Sequence, residues 1–322
     1  MLVFLWAIIF ANFLNADNIV DSTQVESKNA QIKRLERNAR VFDNYTKYYT
    51  KRNYEKPFSS EAHDYKDSVE KSGTSIRQKP KVYKKLLKTP KPKVVIIIDD
   101  IANPAQLGAL QSIGLKLTPS IFPIAQSNSK MLDMVARLEF FMVHLPLEAL
   151  TYNDEMDTIK LNDSAESIAK KIAHIKQTMP NAQYLNNHTG SKFTASKANM
   201  ELLLRVLDAY NISFVDSRTT PNTTLPAIAQ EQNRLILYRD IFVDNALDSA
   251  SLNAQINEGV KIAKERGYAI LIAHPHKETL NALSHAKNTS LREVDVIYLN
   301  ELDSALKRAN IRQYAKSKLL AK

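Results

Sequence analysis

At 322 residues with 44% hydrophobic content, the chain is long enough to bury a full-sized core, and the absence of cysteine excludes disulfides, thiolate metal sites and cysteine nucleophiles. A formal charge of +10 would suit a nucleic-acid binder if it were spread over a fold. Asp17 to Pro92 carries 18 Lys and Arg against 10 Asp and Glu, so eight of the ten net charges lie there, the rest of the chain is close to neutral, and a basic nucleic-acid cleft is excluded.

Leu2 to Leu14 is an almost unbroken apolar run followed by Asn15, Ala16 and Asp17. A spanning helix needs about 20 apolar residues, whereas this run has the length of a signal-peptide core. Residues 1–16 are therefore expected to form a signal peptide or short membrane anchor, with the protein exported to the periplasm or cell envelope. Residues 17–92 are polar, poor in large aliphatics and interrupted near their end by Pro80, Pro90 and Pro92. Such a segment buries too little apolar area to offset its chain entropy, which predicts a disordered basic tether drawn weakly to a membrane surface or wall polymer. A short helix over Ala30 to Val41 is the local exception, and a coiled-coil partner helix there is the rival reading.

From Lys93 the pattern changes, predicting a folded domain over 93–305 and a basic tail over 306–322. Val94 to Ile98 is β-branched throughout and reads as a buried strand. Further strands are predicted at Leu115 to Phe122, Phe140 to Val143, Gln183 to Leu185, Ile212 to Val215, Leu235 to Leu237, Ala269 to Ala273 and Val294 to Tyr298. Helical periodicity falls between them, at Pro104 to Ile113, Ser129 to Leu138, Ser164 to Thr178, Ser196 to Tyr210, Asp248 to Arg266 and Lys277 to Ala286. Ser164 and Ser196 suit N-caps, and Gly267 suits the left-handed end of the longest helix. Strand followed by helix, repeated about seven times, implies a parallel α/β sheet, doubly wound or closed into a barrel. No strand leads into a Gly-x-Gly-x-x-Gly turn, which favours the barrel.

Polar residues gather where the strands end. Asp99 and Asp100 follow the first, His144 and Glu148 the third, and Asn186, Asn187, His188, Gly190 and Ser191 the fourth. Asp216, Ser217 and Arg218 follow the fifth, Arg239 and Asp240 the sixth, and His274 and His276 the seventh. In a parallel barrel those ends share one rim, where barrel active sites are built. Taken singly, the acidic pair could cap a helix, and Asp216 with Arg218 or Arg239 with Asp240 could be local ion pairs. Taken together, a carboxylate and two histidines make a zinc-type ligand set suited to metal-assisted hydrolysis. Adjacent Asp99 and Asp100 can share such a site only if the backbone turns as it leaves the strand, because neighbouring strand residues face opposite sides.

The series Ile97-Ile98-Asp99-Asp100, His144-Leu145-Pro146-Leu147-Glu148, Asn186-Asn187-His188-Thr189-Gly190-Ser191, Asp216-Ser217-Arg218-Thr219, Arg239-Asp240 and Ala273-His274-Pro275 resembles the divergent polysaccharide deacetylase family, which is itself similar to the NodB-type carbohydrate esterases. The resemblance runs through essentially all of Lys93 to Leu302. It implies a distorted (β/α)7-type barrel of the glycoside hydrolase/deacetylase kind and a divalent metal, usually zinc. It also implies a polysaccharide or peptidoglycan-type substrate, with Asp99 as catalytic base, His274 as catalytic acid, and Asp100 and His144 as metal ligands. Ordinary esterases of this kind carry their second histidine four residues after the first, where this chain has Glu148, so the third ligand is expected to be His188, with Glu148 as the alternative. Asn187, Ser191, Asp216, Arg218, Arg239 and Asp240 remain as substrate-binding candidates. The expected activity is deacetylation of an envelope polysaccharide. A non-catalytic glycan- or partner-binding role and hydrolysis of amides in wall peptides are the alternatives.

Overall fold

The computed structural model describes residues 91–151 and 157–320, with side chains placed through Ala309. The expected leader, and the expected tether apart from its last two residues, lie outside them. Among the described residues there are nine parallel strands: β1 (Lys93–Ile101), β2 (Thr118–Ile121), β3 (Met142–Leu147), β4 (Tyr184–Thr189), β5 (Ser213–Asp216), β6 (Leu237–Tyr238), β7 (Ile241–Phe242), β8 (Tyr268–Ala273) and β9 (Asp295–Val296). The helices are α1 (Pro104–Ser112), α2 (Ser129–Ala136), α3 (Ala165–Thr178), α4 (Lys197–Ala209), α5 (Leu225–Glu231), α6 (Ser249–Arg266), α7 (Lys277–Ala286) and α8 (Leu299–Leu320). Among the described residues no helix is long and apolar enough to cross a membrane.

The sheet runs β6-β5-β4-β3-β2-β1-β8-β7, with β9 beside the first residues of β1. Its two outermost strands are consecutive in the chain and separated only by Arg239 and Asp240. Arg239 N donates to Asp216 O at 3.0 Å on the β5 side, and Asp240 N to Ile270 O at 2.8 Å on the β8 side. Residues 237–242 are thus one staggered crossing, hydrogen-bonded first to β5 and then to β8. The sheet curls into a distorted (β/α) barrel whose last gap this segment spans. A single strand divided between two neighbours is too short on either side to show periodicity, which is why the strand expected at Leu235 to Leu237 meets it only at Leu237.

Alternation along β1 sorts its side chains. Val94, Ile96 and Ile98 pack outward against the helices, while Val95 and Ile97 face inward with Met142, Tyr184, Val215, Leu237, Ile270 and Ile272. Leu299, Leu302 and Leu306 of α8 complete that inner cluster. Each such leucine contributes about 1.5–3 kcal/mol on burial, enough to hold α8 in place. The tail expected from residue 306 is accordingly displaced: α8 continues unbroken, and Leu306 and Ala309 are buried. Lysines and arginines dilute the apolar stripe in the sequence, but only its buried face matters for docking. Tyr184 hydroxyl also donates to the Asp303 carboxylate of α8 at 2.7 Å.

The helix ends follow local rules with one difference. Ser164 accepts from Ser167 N at 3.1 Å as an N-cap should, and Gly267 closes α6 at φ 101°. Ser196 stands at the cap of α4 but gives its hydroxyl to Asn199 Oδ1 instead. Strands β3 and β4 run further than their apolar residues predict, so that His144, Asn186 and His188 stand inside strands and not after them. Polar residues on the inner face of a barrel mouth weaken the hydrophobic signal without ending the ladder.

Candidate active site

Parity places the site residues. Asp99 shares the inward face of β1 with Val95 and Ile97, His144 follows Met142 on β3, and Asn186 and His188 follow Tyr184 on β4. A regular strand would send Asp100 outward. Its φ is instead +58°, and the register against β2 slips between Ile98 and Ile101. Aspartate tolerates this left-handed conformation better than most residues, and the bulge turns both carboxylates inward, where both are buried. This is the turn that joint service of Asp99 and Asp100 requires.

Asp100 Oδ1 lies 3.1 Å from His144 Nε2 and 3.1 Å from His188 Nδ1, and the two ring nitrogens are 3.1 Å apart. Protons cannot satisfy all three edges of such a triangle, because each N–H points along a single edge and the remaining edge sets two N–H groups or two lone pairs against each other. Ligands held about 2.0–2.1 Å from a tetrahedral zinc lie little further apart than this, and two imidazoles with a carboxylate are a zinc-type donor set. The residues present therefore fit a divalent cation. Burial opposes ionisation of Asp100, but His188 and His144 more than offset it and hold the carboxyl well below its usual range. Burial also disfavours a charged His144, yet Asp99 and Asp100 raise its pKa overall, whereas for His188 burial prevails and lowers it. Glu148 lies outside this group of three. Its Oε1 accepts from Lys192 at 2.6 Å and its Oε2 from Leu161 N at 2.7 Å.

Beside the triangle, Asn186 Nδ2 donates to both oxygens of Asp99, at 2.8 and 3.0 Å. Phe122 walls the group, with its ring 5.3 Å from that of His144 and 4.9 Å from that of His188. His274 enters from the end of β8 and is tied to Asp244, a residue the sequence reading did not single out. His274 Nδ1 lies 3.0 Å from Asp244 Oδ1, while His274 N and Thr279 Oγ1 both donate to Oδ2, at 2.7 and 2.9 Å. Burial pulls the His274 pKa down, but the Asp244 charge and hydrogen bond outweigh it and the net direction is upward. Asp244 is itself lowered, against the effect of burial, chiefly by His274. The missed signal was Val243-Asp244, which directly continues the half-strand β7 after the polar break at Asp240.

Of the six substrate-binding candidates, Asn187 stands within β4, Asp216 ends β5, Ser191, Arg218 and Arg239 come just after strands, and Asp240 lies deeper, beside the first half of β8. Asn187 holds Ser217 N at 2.9 Å and Thr189 O at 2.6 Å, Ser191 Oγ accepts from Leu150 N at 3.0 Å, and Asp216 takes Arg218 N and Thr223 Oγ1. Arg239 donates to the carbonyls of Ser217 and Arg218, both at 2.7 Å, and the Arg218 guanidinium lies 3.7 Å over the Tyr238 ring. Gly190, at φ 89°, follows Thr189 in the left-handed region, and a Cβ there would stand 2.8 Å from Leu147 Cβ. Asp240 forms a buried two-pronged pair with Arg266 and also accepts from Ile270 N at 2.8 Å. Removing one partner of such a pair strands the other charge, so Asp240→Ala is expected to cost about 3–5 kcal/mol of stability, measured by denaturant unfolding. A residue acting only on substrate would leave stability unchanged and raise KM alone.

The sequence profile of the divergent polysaccharide deacetylase family matches residues 96–302, more than half of the chain. The protein YibQ of Escherichia coli K12 is 27% identical over 194 residues, which cover 59% of this chain and 61% of that protein. The match thus spans 61% of the length of that relative. A Haemophilus influenzae protein is 25% identical over 213 residues, covering 65% of this chain and 76% of its own. Among solved structures, the protein ATU2773 of Agrobacterium tumefaciens C58 aligns with a TM-score of 0.60 at 18% identity, over 67% of this chain and 90% of that one, a likeness of fold.

Proposed function

Because the chain belongs to the divergent polysaccharide deacetylase family, we propose that Asp100, His144 and His188 hold a divalent metal, zinc, and that the protein removes acetyl groups from a cell-envelope polysaccharide. The observation that carries this reading is the convergence of those three donor atoms beside a second carboxylate, Asp99, with the His274–Asp244 pair on the same rim. Bound there, zinc would supply Lewis acidity, lowering the pKa of water and polarising the acyl oxygen. Asp99, held by Asn186, takes the proton of the attacking water. As the carbonyl carbon gains the water oxygen, the bond to the sugar nitrogen or oxygen breaks, and protonated His274 gives its proton to that leaving atom. The products are acetate and a free amine or hydroxyl. Arg218, at the mouth on the Tyr238 ring, is the substrate-contact candidate, Asn187, Ser191, Asp216 and Arg239 support the loops around it, and Asp240 is held by Arg266 deeper in the fold. The apolar leader fits export to the periplasm, and the basic tether would give reach toward anionic polymer.

The full chain loaded with zinc is expected to release acetate from N-acetylated glycan oligomers or peptidoglycan, to stop with a chelator and to recover with added zinc. New peptide ends without acetate would favour amide hydrolysis in wall peptides. Stoichiometric zinc without turnover of any acylated glycan would leave a binding role instead.

A further inference from the structure

We infer that Asn186 is a positioning residue that couples the two halves of the site, orienting the base Asp99 with one end of its carboxamide and setting the proton position on His144 with the other. The inference rests on the metal reading above. Asn186 is fully buried on the inner face of β4, level with His144 on β3. Every polar atom of its side chain is engaged. Nδ2 faces Asp99 Oδ1, Asp99 Oδ2 and Ser217 Oγ at 2.8, 3.0 and 3.0 Å, while Oδ1 faces Ser120 Oγ at 2.6 Å and His144 Nδ1 at 3.1 Å.

The orientation of that amide follows from chemistry. An ionised Asp99 only accepts hydrogen bonds, so the donor end of Asn186 must face it; the opposite flip would set a carbonyl oxygen against a carboxylate. The acceptor end is thereby turned on His144, whose Nδ1 must then carry hydrogen. Nε2 is left with its lone pair directed at Asp100 and His188, which is the form a metal ligand needs. Ser120 donates to the same Oδ1 and keeps the carboxamide from rotating. One buried amide therefore orients the base and, with Asp99 Oδ1 at 3.5 Å from the same Nδ1, sets the tautomer of the ligand. Leucine at 186 would keep the volume and lose both functions.

Nitrogen-15 NMR of the imidazoles in the zinc-loaded full chain tests this without any variant. The expected pattern is Nδ1–H with metal on Nε2 of His144; metal on Nδ1 would overturn the inference. In Asn186→Leu and in the milder Ser120→Ala, zinc affinity measured by chelator competition is expected to weaken about 10–100-fold for the first and less for the second. Affinity within twofold of wild type in folded Asn186→Leu would overturn the coupling even if zinc binds as proposed. Failure of the wild-type chain to bind zinc would instead defeat the metal reading itself.

Discussion

Asp100→Ala is expected to reduce bound zinc from stoichiometric to background and to lower kcat/KM by about a thousandfold or more, since Lewis acid stabilisation is worth several kcal/mol and each 1.4 kcal/mol is a factor of ten. The physical reason lies in the triangle. Asp100 Oδ1 is 3.1 Å from both imidazole nitrogens, and it supplies the negative charge that makes a buried dication tolerable. Without it, two buried histidines face each other at 3.1 Å, and the one carboxylate left beside them, Asp99, is turned to Asn186 and the Nδ1 side of His144. Metal analysis by mass spectrometry, with circular dichroism to confirm folding, reads the result. Stoichiometric zinc and unaltered turnover in a folded Asp100→Ala would remove the metal reading.

The second large effect concerns His274. Its imidazolium is disfavoured by burial and sustained by Asp244, with a net pKa above the ordinary 6.5. A general acid must be protonated to act, so kcat/KM is expected to fall as pH rises through that raised value. Asp244→Asn removes the charge that sustains the imidazolium and leaves burial in place. The sign is therefore fixed: the alkaline limb moves to lower pH, and activity at neutral pH drops by up to the roughly 10²–10⁴-fold that general acid–base catalysis supplies. His274→Ala should lose a similar factor and show no such limb. A limb that stays put in Asp244→Asn would mean that another group donates the proton.

Much of the scaffold was legible because it is written locally. Five apolar β-branched residues before Asp99, caps such as Ser164 and a left-handed Gly267 each act over a few residues, and the structure has elements at those positions. Asp244 and the second half of the 237–242 crossing were not legible, since a two-residue strand has no period and its partner in β8 lies about thirty residues away. The extent of α8 was hidden for a different reason: burial of Leu306 depends on the open end of a barrel that only the closed sheet creates.

The site divides in the same way. By itself the sequence determined that six predicted strands are followed by polar residues and that Asp99 and Asp100 could join one site only through a turn. Those statements need nothing but alternation along one strand. The tertiary structure decided which residue completes the ligand set. The parallel register of β3 and β4 sets His144 level with Asn186 and Pro146 level with His188, so His188 reaches over the histidine of the neighbouring strand, while Glu148 is drawn away to Lys192 and Leu161. Spacing along a chain encodes which face a side chain takes, whereas a ligand triangle is a relation between three strands and arises only once their register is fixed.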